Sequence, residues 1–135
     1  MAYNGFLVKV GNYTVPADKF IKFNSYSVLY STSDLDSYRD ANGVLHRTAL
    51  EHKPIKIEFE TPPMLTNVEM SVLMANIRNN YTNATEKRCV VTAYVPELDD
   101  YITMDCYLPD VTFSIYGAYG GVLHYNAVRF AFIGY

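Results

Sequence analysis

Asp34-Leu35-Asp36-Ser37-Tyr38-Arg39-Asp40-Ala41-Asn42-Gly43-Val44-Leu45-His46-Arg47 leads through Thr48 into Ile55-Lys56-Ile57-Glu58-Phe59-Glu60. In the later part Ile55, Ile57 and Phe59 alternate with Lys56, Glu58 and Glu60, so a strand here has one apolar and one charged face. The earlier part is polar and charge-dense. Its Asn42-Gly43 pair is a strong turn signal, because both residue types accept a positive φ. The stretch reads as a long polar loop or arm, from about Ser33 to Arg47, joined to a half-buried strand. Such a design reaches out to a neighbour; it does not enclose a reaction.

Toward the N-terminus, Phe6 to Val10 is a short apolar strand. Gly11-Asn12 stands where a two-residue hairpin loop returns the chain through Tyr13-Thr14-Val15, and Pro16 ends the pairing by removing a donor. Phe20 to Tyr30, rich in Phe, Ile, Val and Tyr, reads as another strand, broken by Ser31 to Asp36. Toward the C-terminus, Pro62-Pro63 closes the alternating strand. Thr66-Asn67-Val68-Glu69 matches a capping box, in which the hydroxyl and the carboxylate satisfy reciprocal backbone donors. Met70, Leu73, Met74, Ile77 and Tyr81 follow at helical spacing and mark one buried stripe. Met64, Met70 and Met74 are read as core filling rather than as a plastic binding groove.

Arg88 to Val95 and Tyr101 to Leu108 form a hairpin across Pro96–Asp100. Cys89, Val91, Ala93 and Val95 share one face, and Ile102, Met104, Cys106 and Leu108 share a face of the partner strand. Val111 to Tyr116 reads as a strand, followed by a turn at Gly117, Gly120 and Gly121. Val122 to Tyr135 reads as a long terminal strand bent near Asn126. One helix among β segments predicts an α+β fold, mainly antiparallel β, with residues 1–135 as one domain.

Half of the 135 residues are hydrophobic, enough for a packed core, and 13 are Tyr, a type that favours strands and interfaces. A net charge of -3 lacks the basic surface that nucleic-acid binding requires. No apolar run is long enough to cross a membrane as a helix. Met1-Ala2-Tyr3-Asn4-Gly5 has no basic n-region or signal core, and two cysteines are too few for a disulfide framework. Cys89 and Cys106 are therefore expected as free buried thiols in a protein folded in a reducing cytoplasm.

Catalytic grammar is missing. Asp34, Asp36, Asp40 and Asn42 invite a calcium loop, but with Gly43 at the glycine position Tyr38 stands at the first ligand position and Ala49 at the last, where Glu is required. His46, His52 and His124 have no metal-ligand spacing, and neither cysteine has a CxxC partner. No nucleophile elbow or phosphate-binding glycine loop is present; Gly117-Ala118-Tyr119-Gly120-Gly121 lies between strands, not before a helix. Asn12-Tyr13-Thr14, Asn80-Tyr81-Thr82 and Asn83-Ala84-Thr85 match glycosylation sequons by chance in the absence of a secretory signal. The expectation is a protein that is not an enzyme and needs no metal or cofactor.

The run Asp34 to Arg47, followed by Lys56-Ile57-Glu58-Phe59, resembles small tail-region proteins of long-tailed phages and prophages of Gram-positive bacteria. Gly5-Phe6-Leu7-Val8-Lys9-Val10 and Arg129-Phe130-Ala131-Phe132-Ile133 fit the same family, so the resemblance covers nearly the whole chain. It implies a relative of tail-tube and distal-tail proteins: a β-barrel or sandwich flanked by one helix, with a long loop between strands, assembled as hexameric rings. The implied role is structural, as a ring component of a phage tail, made in the host cytoplasm and located in the virion. The implied partners are other copies of itself and other tail proteins. A tail terminator or head–tail connector, or a carbohydrate-binding β module for host attachment, are the alternatives. In such a ring Asp36, Tyr38, Arg39, Asp40 and Arg47 of the arm are the candidate assembly interface, with either Arg able to fork onto a carboxylate. An acidic balance suits a conduit that DNA passes without sticking.

Overall fold

A computed structural model describes residues 3–32 and 34–135; Ser33, where the arm was expected to begin, lies outside the described residues. Among the described residues, thirteen strands and one substantial helix follow in chain order. The first elements are β1 (Val8–Val10), β2 (Tyr13–Thr14), a short helix α1 (Ala17–Phe20), a 3-10 turn (Phe23–Ser25) and β3 (Ser27–Tyr30). Then come β4 (Asp34–Arg39), β5 (Leu45–Ala49), β6 (Ile55–Glu60), β7 (Leu65–Thr66) and helix α2 (Asn67–Asn79). The rest is β8 (Tyr81–Asn83), β9 (Arg88–Val95), β10 (Asp100–Tyr107), β11 (Ile115–Tyr119), β12 (Val122–Tyr125) and β13 (Arg129–Gly134).

The main sheet has the order β2-β1-β9-β10-β13-β6-β3, with β8 paired to β9, and every pairing in it is antiparallel. The fold is thus α+β and mainly antiparallel β. The sheet is open: its path ends at β2 and β3. A second sheet, β11-β12-β7, lies beside α2, and β4 and β5 form a ribbon of their own.

The alternation in β6 sets the core. Ile55, Ile57 and Phe59 are buried, and β13 lies against them with Phe130 opposite Phe59 and Phe132 opposite Ile57. The rings of Phe59 and Phe130 are 5.6 Å apart and nearly parallel. On the outer face Glu58 bonds Lys56 at 2.9 Å and Arg129, and these donors hold its carboxyl below the usual range. Beyond the ladder, Thr61 and Val128 close a reciprocal pair. The Thr61 N–H donates to the Val128 carbonyl, and the Val128 N–H donates to Thr61 Oγ1, both at 2.9 Å. That satisfies a fully buried hydroxyl, which otherwise costs stability.

The β9–β10 hairpin forms as its period-2 pattern requires. Cys89, Val91, Ala93 and Val95 are buried, and Ile102, Met104 and Cys106 stand opposite Ala93, Val91 and Cys89 on the same face. Both cysteines are free and buried, and burial raises the Cys89 thiol to about 11 and Cys106 to about 12. Helix α2 starts at its capping box: Thr66 Oγ1 accepts from the Glu69 N–H, and Glu69 Oε1 accepts from the Thr66 N–H, each at 3.2 Å. Met70, Leu73 and Ile77 face the core, and Met74 is partly buried against it.

Three segments depart from the sequence reading. Phe20 to Tyr30 is not one strand, because Ala17, Phe20 and Ile21 share i, i+3, i+4 spacing and go inward from a short helix; pairing begins only at Ser27. The flanking helix α2 is therefore not alone. Val111 to Ser114 is outside any strand, since Val111 packs against the core and Phe113 packs edge-on to Tyr125 and Phe130, and the ladder starts at Ile115. The terminal strand is broken, not bent. β12 joins the small sheet and β13 the large one, with Asn126 to Val128 crossing between them.

Replacing the fully buried Leu73 by Ala should lower unfolding free energy by about 2–5 kcal/mol in chemical denaturation, because the cavity adds to the lost transfer energy. The raised thiol pKa values give a second expectation. Unfolded thiols ionise near their ordinary value while the buried ones stay protonated, so the cysteine contribution to stability is intact at neutral pH. It is lost as pH rises from the ordinary thiol range toward about 11 and 12. The difference in stability between wild type and a Cys89→Ala/Cys106→Ala variant, followed by denaturant titration across that range, measures it.

Candidate assembly arm

The polar arm is not a loop. Residues 34–49 form a β-ribbon, because the charged stretch also carries strand-forming residues at alternate positions: Tyr38 faces His46, and Asp36 faces Thr48. Only Asp40 to Val44 connects the strands. There the Asp40 N–H donates to the Val44 carbonyl at 3.0 Å, the Gly43 N–H donates to the Asp40 carbonyl at 2.9 Å, and Gly43 takes a φ of 80° that suits glycine. The pairing slips between Asp34 and Asp36, which twists the base of the ribbon.

Three of the five candidate interface residues hold the ribbon's own shape. Asp40 organises the tip: one oxygen accepts from the amides of Asn42 (2.9 Å) and Val44 (3.0 Å), and the other meets His46 Nε2 at 2.9 Å. The His46 bond, then the Val44 amide, pulls the Asp40 carboxyl below the usual carboxylate range. Arg39 donates to the Gly43 carbonyl at 2.9 Å rather than to a carboxylate. Arg47 donates from Nε (3.1 Å) and Nη2 (2.8 Å) to one oxygen of Asp34, a partly exposed pair worth little in water. The two that remain presented are Tyr38, stacked on His46 with 5.0 Å between ring centres, and Asp36.

The sequence reading described the arm as polar and charge-dense. The ribbon instead exposes Leu35, Tyr38, Val44 and Leu45, and Leu35, at 71% exposure, is the most exposed of the large apolar side chains described. Leu35 between two aspartates and Val44-Leu45 after the turn were the available signals; charge density hid them. Every residue of β4 and β5 is exposed, and the ribbon's substantial contacts are between its own two strands. A lone two-stranded ribbon is marginally stable in water. On this one Leu35 and Leu45 stand in solvent.

Elsewhere the sites considered in the sequence do not converge. His46 is on the ribbon, His52 bonds the Tyr135 carbonyl, and His124 Nδ1 is 3.2 Å from the Met64 carbonyl. Among the described residues no group of three His, Cys, Asp or Glu side chains is placed to hold a metal ion. No helix among them is long and apolar enough to cross a membrane.

A family model spans residues 1–135, the whole of the sequence. The chain belongs to DUF6711, a family of unknown function. No curated protein and no solved structure matches it. For this DUF6711 chain, the geometry just described is what bears on function.

Asp40→Ala should release the tip without touching the body. Amide hydrogen exchange at Asn42 and Val44 is expected to speed up severalfold while the thermal midpoint of the body stays in place. Acidification should act in the same direction. The Asp40 contribution is present above the usual carboxylate range and is lost as pH falls through its lowered value.

Proposed function

We propose that this chain is a structural phage virion protein, a ring-forming component of a long tail, in the tube or at its distal end. The observation that carries the reading is the arm: an ordered ribbon, held by its own tip and base contacts, with exposed leucines and with its substantial contacts between its own two strands. A heterologous contact between such an arm and a different surface of the next copy repeats around an axis and closes a ring when the rotation allows. The resemblance of residues 34–47 and 56–59 to tail-region proteins points to the same use.

Two further features support a ring of β-barrels or sandwiches. The main sheet curls, so that Tyr26 Oη, just before β3, donates to the Tyr94 carbonyl of β9 at 2.6 Å. At the edge, β3 presents the exposed Leu29 and Ser27, the kind of free strand that a neighbouring copy can cover. A net charge of -3 suits a lumen through which DNA moves without binding.

A carbohydrate-binding module is the second reading. Tyr116 and Tyr119 are exposed on β11, with ring centres 6.4 Å apart, and offer faces on which a sugar could stack. No arm is needed for that role.

Replacing residues 34–49 by a short Gly/Ser linker separates the readings. The variant should keep its thermal midpoint within about 4 °C, since the ribbon contributes nothing to the core. It should lose the rings or tubes that the wild type forms in negative-stain images and in sedimentation. Assembly that survives the deletion, or glycan binding by both proteins, sinks the ring reading.

A further inference from the structure

A groove runs between α2 and the strandless segment from Leu108 to Ser114. Met74, Tyr81, Val111 and Phe113 make it apolar, Arg78 and Lys87 add two cations, and its volume is about 380 Å³. The ion pairs of the described residues leave Arg78 out, and they join Lys87 only to the fully exposed Asp110, at 3.4 Å. The groove is of ordinary ligand-site size, and its cations imply an occupant that is apolar and acidic at once.

The same chain carries such an occupant. Leu35 projects from the arm between Asp34 and Asp36, and Asp36 is in none of those ion pairs. We propose that the arm of a second copy docks in this groove, seating Leu35 against Met74, Val111 and Phe113 and setting Asp36 beside Arg78 and Lys87. The inference rests on the arm being the assembly element, as argued above, and adds the surface that receives it. Arm and groove are different surfaces, so each copy gives one contact and takes one, which is the head-to-tail arrangement a ring needs. Docking would dry an apolar side chain and pair two uncommitted charges of opposite sign, which fixes register as well as affinity.

The test is a charge swap with a cross-link. Arg78→Glu and Asp36→Arg should each weaken self-association at least about tenfold in sedimentation equilibrium, and the double variant should recover most of that loss. Both positions are exposed, so folding is spared. Independently, a copy with Leu35→Cys mixed with a tagged copy carrying Val111→Cys should form a disulfide-linked heterodimer under mild oxidation. The buried Cys89 and Cys106 take no part.

If deleting the arm abolishes association while Arg78→Glu changes nothing and no cross-link forms, the arm docks elsewhere and this proposal falls alone. If association survives the deletion, or the wild type remains monomeric at millimolar concentration, the arm reading falls with it. Decanoate bound equally by wild type and arm deletion, with no cross-link, would assign the groove to a small amphiphilic acid instead.

Discussion

The pairing of β6 with β13 is the constraint on which the rest depends. Ile57, Phe59, Phe130 and Phe132 are all but fully shielded from solvent, and each contributes roughly 1.5–3 kcal/mol by leaving water. This block joins two halves of the sheet. On one side hang β3 and, through the segment after it, the arm; on the other stand β10, β9 and β1. The Thr61–Val128 exchange prolongs the block by one pair, just where the chain leaves for β7 and α2. Because α2 needs a floor for Met70, Leu73 and Ile77, the helix too is held by what this sheet keeps dry.

The body and the arm obey different physics. The body is organised by burial, with polar side chains placed outside or paired. The arm has almost nothing to bury within one copy, so directional bonds define it: the Asp40 tip, the Tyr38–His46 stack and the Arg47–Asp34 pair. Such contacts are modest in water and fix shape more than they add stability. A preshaped arm loses less entropy on meeting a partner than a floppy loop would. Its leucines are then the reserve of apolar surface that the body has already used up.

What the sequence made legible was whatever a strict period records. The stripe of β6, the faces of β9 and β10 and the capping box at Thr66 all have unambiguous spacing, and the structure places them as that spacing requires. The failures came where two signals competed. Around Phe20 an apolar run suited a strand, yet the spacing of Ala17, Phe20 and Ile21 served a helical turn better. In the arm, charge density suggested a loop, while Tyr38, His46 and Thr48 were pairing residues. From Val111 onward, side-chain packing under Phe113 overrode strand propensity. In the arm, the charged residues were legible in the sequence. Their division into shape-holding and outward-facing groups was not, because it depends on which carboxylate each cation reaches in three dimensions.

The position of β13 has a consequence in time. It lies between β10 and β6, yet it is made after every strand it separates. Until it emerges, β9 and β10 can zip up as a local hairpin and β3 can find β6, but the two pieces have no shared edge. Closing the gap needs β6 to wait for a partner about seventy residues downstream, a slow, non-local step. During that interval Phe59 and Ile57 are on display along an unpaired edge, and the nascent chain is at its most prone to stick to others of its kind. The late arrival of the central strand is where that hazard is concentrated.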